Sequence, residues 1–443
     1  MRKHLVVILV VTLLGGWAGA ADFPLEWKTF TTEEAPHVPG GGAVGGLYFK
    51  RPGHVTNEPK AVSRKPLYGA QRFREGAPLV TYRLDESKGT ARGYDRLIFD
   101  LNNNGDLRDD PAFAGTSMAR PKPLPGWIVF GPIEPETEKT AGLLPSRVYA
   151  IVELQSDELA LFANRDTASG ILRLHSAGYL EATVEIDGAR EKVGLVDRTR
   201  NGRLTGGSAE AGDGQYLPLD GSDALLRDRN GSGCFDLNLC ETESDWPADL
   251  AAFGANIYRI SLAKDCRSVH LERYTGPTGR LKIAEHPERV HLVRLERQLA
   301  NGRAMPFAPV LIEGTAVVPA GTYEFRSCAL VARMPDGSTA MTWGMLGDPK
   351  ERIEIEAGQT KALRCGPPLE IRIDASKTLG RSAGRNAEPV RQIDLGAALI
   401  GTAGEQYIWS LRGVNATPEV KPPRFRVFDE NGSEIGSGQF EYG

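Results

Sequence analysis

The chain holds 443 residues, with 53 Lys and Arg against 57 Asp and Glu, for a formal net charge of −4. That balance offers no basic excess to neutralise a phosphate backbone, so nucleic acid is excluded as an expected partner. The 51 glycines and 29 prolines punctuate the whole length, and the segments between them are short.

The first 20 residues read as a secretory signal. Arg2 and Lys3 supply its charged region, Leu5 to Leu14 its apolar stretch and Ala18-Gly19-Ala20 a small-residue cleavage site before Ala21. No Cys follows to take a lipid, and no later segment approaches the ~20 apolar residues of a membrane span. The expected location is therefore secreted, periplasmic or at the cell surface, without a membrane span. A mature length of about 420 residues implies two to four domains.

Residues 21–90 are poor in alternation and rich in Gly, Pro and Lys, including GGGAVGG at 40–46, and read as an extended arm. Beyond them, short runs of period near two recur: RVYAIVEL, GYLEATVEID, NIYRISLA, SVHLERY, RIEIEAG and PLEIRIDA. Each is bounded by turn residues, and together they predict an all-β chain of several β-sandwich domains in tandem. Helical periodicity is weak and confined to Ser156–Ala163, Ala248–Phe253 and Val290–Leu299. The predicted divisions are a β-sandwich region over 91–283, a linker over 284–305, a β module over 306–374 and a C-terminal β-sandwich module over 375–443.

Within 91–283 one short phrase occurs three times: LIFDLNNNGDL from Leu97, GLVDRTRNGRL from Gly194 and LLRDRNGSGCF from Leu225. Each places an Asp, then oxygen-bearing side chains two and four residues on, then Gly, one spacer and a hydrophobic residue. Ca²⁺ takes six to eight oxygens at about 2.3–2.6 Å, and a tight loop points positions 1, 3 and 5 inward. Gly at position 6 permits the turn, after which the carbonyl of position 7 reaches the ion. The donors are Asp100, Asn102, Asn104 and the carbonyl of Asp106 in the first loop, and Asp197, Thr199 and Asn201 in the second. In the third they are Asp228, Asn230, Ser232 and Asp236.

These stretches resemble the EF-hand-like loops of dockerins and thrombospondin-type repeats over about 12 residues each. The resemblance implies a structural Ca²⁺. It departs at position 12, where Pro111, Ser208 and Leu239 replace the bidentate Glu. Asp109 or Asp110 would supply that ligand in the first loop, and Glu241 or Glu243 near the third. The flanking β-formers exclude a helix-loop-helix pair. The rival reading is a metal-free Asn-Gly turn. Arg198, Arg200 and Arg203 crowd the second loop with positive charge, which favours that rival there.

Farther on, PAGTY followed by an alternating strand resembles immunoglobulin-like and carboxypeptidase-regulatory-like sandwiches, within the 306–374 module. With the signal and the loops, the architecture resembles that of secreted multi-domain β proteins of environmental bacteria. Five cysteines remain, an odd count that leaves one free: Cys328 and Cys365 could cross-link two strands, Cys234 has Cys240 or Cys266 as partner, and the rival reading is buried thiols throughout.

Gly115-Thr116-Ser117-Met118-Ala119 matches the catalytic-serine signature of subtilisin-like proteases, in which Ser opens a helix. Pro121, Pro123 and Pro125 follow at once, and no partner His or Asp motif accompanies it. His175, His270, His286 and His291 form neither HxH nor HExxH, so a zinc site is not expected. Trp127, Trp246, Trp343 and Trp409 are available to stack on sugars, although core packing is their commoner use. The expectation is a secreted, calcium-binding structural, adhesive or ligand-binding protein without catalytic activity, with an extracellular glycan or protein as ligand. The alternative is a secreted hydrolase or carbohydrate-active enzyme whose site is assembled from distant carboxylates.

Overall fold

A computed structural model describes residues 20–38, 44–74, 76–90, 93–119, 126–134, 144, 147–154, 167–200, 202, 204, 216–218, 223–228, 234–235, 237, 244–245, 249–333, 339–346, 352–381, 389–412, 424–428 and 430–439. Their regular structure is strand, apart from 3-10 turns such as Ala35–His37 and Pro287–Arg289. The all-β expectation holds. The signal residues 1–19 and the helix candidate 156–163 lie outside the described residues. No helix among the described residues is long and apolar enough to cross a membrane.

Two short strands open the chain, β1 (Ala21–Pro24) and β2 (Glu26–Thr29). Eight more follow: β3 (Val44–Tyr48), β4 (Leu67–Gln71), β5 (Val80–Asp85), β6 (Arg96–Phe99), β7 (Ala112–Met118), β8 (Trp127–Ile133), β9 (Val148–Leu154) and β10 (Thr167–Ser176). Each pairs antiparallel with the next, and β10 returns to pair β3, which closes an up-and-down barrel. Leu47, Leu67, Tyr82, Leu84, Leu97, Phe99, Phe130 and Leu172 fill its core. Closure leaves no open edge.

The barrel corrects the arm reading of 21–90. Residues 44–85 supply three of its strands, and only β1 and β2 act as an arm, each adding to a different sheet. Gly45 and Gly69 are required by close approach rather than by looseness. A Cβ at Gly69 would lie 2.2 Å from Tyr82 Oη, and one at Gly45 2.9 Å from the same atom.

The chain then forms β11 (Gly178–Ile186), β12 (Ala189–Val196), β13 (Tyr216–Pro218), β14 (Ala224–Arg227), β15 (Ser244–Asp245), β16 (Leu250–Phe253), β17 (Asn256–Ala263) and β18 (Ser268–Arg273). Asp187 and Gly188 join β11 to β12 with φ of 52° and 79°, the two positive values that a type I′ hairpin requires. One sheet runs β15-β14-β12-β11-β2, and the other β1-β18-β17-β13 with β16 beside β17. Both line one core, with Val184, Val193 and Leu195 from the first and Ile260, Leu262 and Leu271 from the second. The β-sandwich region expected over 91–283 is thus a barrel portion followed by a separate pair of sheets.

The remaining strands are β19 (Thr278–Ile283), β20 (Val290–Gln298), β21 (Ala304–Phe307), β22 (Thr315–Pro319), β23 (Gly321–Arg333), β24 (Thr339–Met345), β25 (Arg352–Ile355), β26 (Thr360–Leu363), β27 (Glu370–Arg381), β28 (Pro389–Ile400), β29 (Gln406–Arg412), β30 (Arg424–Phe428) and β31 (Glu434–Gln439). A three-stranded sheet, β22-β19-β26, shares a core with the sheet β21-β20-β23-β24-β29-β28-β27. Two boundaries are corrected here. The expected linker 284–305 contains β20, whose Val290, Val293 and Leu295 sit in that core. The boundary at 374/375 falls inside β27, so β27–β29 continue the same sheet and only the β30–β31 hairpin stands apart.

Candidate functional site

The first calcium-type loop joins β6 to β7. Leu97 and Phe99 of β6 point into the barrel, while Ile98 packs outside it with Val55 and Leu107. Leu107, at position 8, is fully buried and ties the end of the loop down, as the phrase implied. Burial of such a side chain stabilises by about 1.5–3 kcal/mol.

Asp100 is 0% exposed and accepts the Asn104 amide at 2.9 Å and the Gly105 amide at 2.9 Å, one on each carboxylate oxygen. Asn102 Oδ1 also accepts the Asn104 amide, at 3.1 Å, and Asn104 Oδ1 accepts the Asp106 amide at 2.7 Å. The side-chain amides of Asn102 and Asn104 both donate to Asp109 Oδ2, at 3.3 and 2.8 Å. Asp110 accepts the Leu101 amide at 2.9 Å. The residues picked from the sequence therefore turn inward on one another instead of splaying.

Asp106 departs from this pattern in its side chain, which faces Arg108 and Asn57. The Arg108 guanidinium holds its carboxyl down to about 2. Its place in the donor set is thus by the backbone carbonyl alone. Gly105 has φ of 79°, and a Cβ there would meet His54 O at 2.5 Å. We expect Gly105→Ala to lose about 2 kcal/mol, from left-handed strain and that backbone contact, as read by urea denaturation. An unchanged midpoint would contradict the docking of 54–57 on the loop.

In its described residues the second loop repeats the backbone of the first. Arg200 and Gly202 have φ of 57° and 78°, matching Asn103 at 57° and Gly105 at 79°. Gly202 N donates to Asp197 Oδ2 at 2.7 Å, and Leu204 is buried like Leu107. The Gly105 carbonyl accepts Thr56 N at 2.8 Å, and the Gly202 carbonyl accepts Leu144 N at 2.9 Å. Asp223 accepts the Arg198 amide at 3.1 Å, the place that Asp110 takes at Leu101. Sequence reasoning missed Asp223, because nothing local links it to Asp197.

Two buried guanidinium groups flank this loop. Arg74 lies 2.8 Å from where a Gly202 Cβ would stand, and Arg200 donates to the Arg72 and Phe73 carbonyls. Thr199 Oγ1 donates to Asp197 at 3.2 Å, while Asn201 lies outside the described residues. In the third loop Asp228 follows β14 and is half-buried, and Phe235 is buried at position 8. Asn230, Ser232 and Asp236 lie outside the described residues.

Among the described residues no group of three or more His, Cys, Asp or Glu is arranged to hold a metal. A cation in the first loop would rest on Asp100 and Asp109 together with amide and backbone carbonyl oxygens. Such a low carboxylate count suits the weak extracellular range of calcium sites.

Other candidates resolve simply. Ser117 is exposed on β7 opposite Ile128, in a strand rather than at the start of a helix. Trp343 is buried under Arg294, and Trp127 packs edge-on against His37. Trp246 and the Trp409 side chain lie outside the description. An open cavity of about 300 Å³ at the barrel is lined by Tyr48, Lys50, Arg51, Pro52, Gly53, Tyr68 and Gly69. Tyr68 Oη donates to Glu58 at 2.9 Å, and Arg83, fully buried, ion-pairs with Glu58 and Asp85. Compared with models of known protein families, with curated proteins and with solved structures, the chain matches none.

Proposed function

We propose that this is an exported, calcium-stabilised β protein acting as a structural, adhesive or ligand-binding module, of the secreted bacterial kind its sequence resembles. The observation that carries the reading is the inward fold of Asp100, Asn102, Asn104 and Asp109 around one loop closed by Gly105. Asn102 Oδ1 and Asn104 Oδ1 accept the Asn104 and Asp106 amides with one lone pair, and the second is offered to the ion once a small rotation carries each Nδ2 off Asp109. Asp100, Asn102, Asn104 and the Asp106 carbonyl would then hold Ca²⁺, with Asp109 or Asp110 as the further carboxylate. The ion's role is structural, joining β6 to β7 and to the segment 54–57.

At the second loop the positive charge of Arg74 and Arg200 stands against a cation, so Asp197, Thr199 and Asn201 serve as a turn. The third set, Asp228, Asn230, Ser232 and Asp236, is proposed as a weaker site. Recognition of an extracellular glycan or protein would use surface such as the cavity between Tyr48, Lys50 and Arg51, where an aromatic face adjoins two cations. Calorimetric titration of chelated mature protein with Ca²⁺ should give binding with Kd of about 10⁻⁴–10⁻³ M. Absence of binding at that concentration would remove the metal from the reading.

A further inference from the structure

Four polar side chains meet in the core shared by the three-stranded sheet β22-β19-β26 and the large sheet beside it. Cys328 lies in the middle of β23, Cys365 just beyond β26, Glu405 just before β29 and Tyr407 at its start. Cys328, Cys365 and Glu405 are each 0% exposed, and Tyr407 is 7% exposed. The Glu405 carboxylate accepts the Gly366 amide at 2.5 Å, the Ala403 amide at 2.9 Å and the Tyr407 hydroxyl at 3.0 Å. Cys328 Sγ lies 3.1 Å from Tyr407 Oη and 3.8 Å from Glu405 Oε1.

Both cysteines are free thiols in one core, and Glu405 bridges their surroundings, facing Cys328 Sγ and accepting the amide of Gly366 next to Cys365. The neighbouring Cys328 thiol, and then burial, pushes the Cys365 thiol far above its usual range. The surroundings are filled: a Cβ at Gly401 would stand 2.2 Å from Glu405 Oε1, and one at Gly344 2.6 Å from the Tyr407 ring. No set of three metal-binding side chains is arranged here among the described residues.

We propose that Cys328 and Cys365 join in a disulfide when the chain folds in an oxidising compartment, which fastens β23 to the end of β26 across the core. The oxidant is a small or protein disulfide. Cys328 of the still open chain loses its proton to water, and the thiolate attacks one sulfur of that disulfide, expelling the other as a thiolate. Cys365, deprotonated in turn, attacks the Cys328 sulfur and releases the second oxidant thiol. The protein loses two protons and two electrons, and the oxidant's disulfide takes both and leaves as two thiols.

Exchange needs access to the sulfurs, so the bond forms before the sheets close and is shielded afterwards. The biological setting rests on the export reading, but the pairing itself does not. Refolding in vitro separates the two.

The full mature chain is unfolded and reduced, refolded in an oxidised and reduced glutathione mixture, alkylated in denaturant and mapped by mass spectrometry. The expected result is a linked pair of Cys328 and Cys365 peptides that resists reductant in the folded protein and opens after unfolding. Melting should fall by about 5–10 °C when refolding takes place in reductant, from loss of a closure of about 40 residues. Cys365→Ala should melt like the reduced protein and leave Cys328 alkylated. Full alkylation of both residues in the oxidised wild type, or their pairing with other cysteines, would overturn the proposal whatever compartment the protein occupies.

Discussion

Millimolar Ca²⁺ added to chelated protein should raise the melting temperature by several degrees, and Asp100→Ala should abolish the increment. Carboxylates of Asp100, Asp109 and Asp110 crowd one loop, so a cation binds the folded arrangement far better than the open chain. At a concentration 100 times Kd, one such site contributes about 2.7 kcal/mol. Asp100→Ala also frees the Asn104 and Gly105 amides, which lowers melting with or without the ion. The calcium-dependent increment is therefore the quantity to read. Asp197→Ala should retain it, because Arg74 and Arg200 already supply positive charge beside the second loop. An equal increment in Asp100→Ala and wild type would place the ion elsewhere.

Acid should weaken the fold well above the carboxylate range, through His175. This side chain on β10 is 7% exposed, and burial lowers its pKa from 6.5 to about 4. A bond to the Val38 backbone opposes the shift, while Arg173, Arg200 and His37 reinforce it. The folded state thus prefers neutral His175, whereas the unfolded chain protonates near 6.5. The sign follows: stability is fully present above pH 6.5, falls as pH drops from there to about 4, and levels off below. The loss amounts to about 3 kcal/mol across that window. Asp85, whose pKa is lowered from 3.8, acts only below it. His175→Gln should flatten the urea midpoint between pH 7 and 4.5 relative to wild type, and parallel pH profiles would refute the assignment.

What was legible in the sequence was local. The spacing Asp100, Asn102, Asn104, Gly105, Leu107 lies on consecutive residues, and it returned both the inward side chains and the buried anchor. The Asp187-Gly188 turn was similarly readable, since two positive φ values select those residue types. What depended on distant contacts was hidden. Asp223 stands in for Asp110 only because β14, which it precedes, pairs back onto β12, and Arg74 reaches the second loop from beyond β4.

The barrel was missed for a related reason. VGGLY and LYGAQ look too glycine-rich for strands, yet Gly45 and Gly69 make way for Tyr82 of β5, and Gly46 for Tyr48. VHLVRLERQ places apolar residues at spacings that serve either helix or strand, and pairing with β23 on one side and β21 on the other decides the matter.

The most direct measurement is a crystal structure of the mature chain grown in millimolar Ca²⁺. The expected result is an ion at about 2.3–2.6 Å from Asp100, from Asn102 and Asn104 through Oδ1, and from the Asp106 carbonyl, with a carboxylate of Asp109 or Asp110 completing the shell. A loop in which the Asn102 and Asn104 amides still donate to Asp109, with no ion among them, would contradict it.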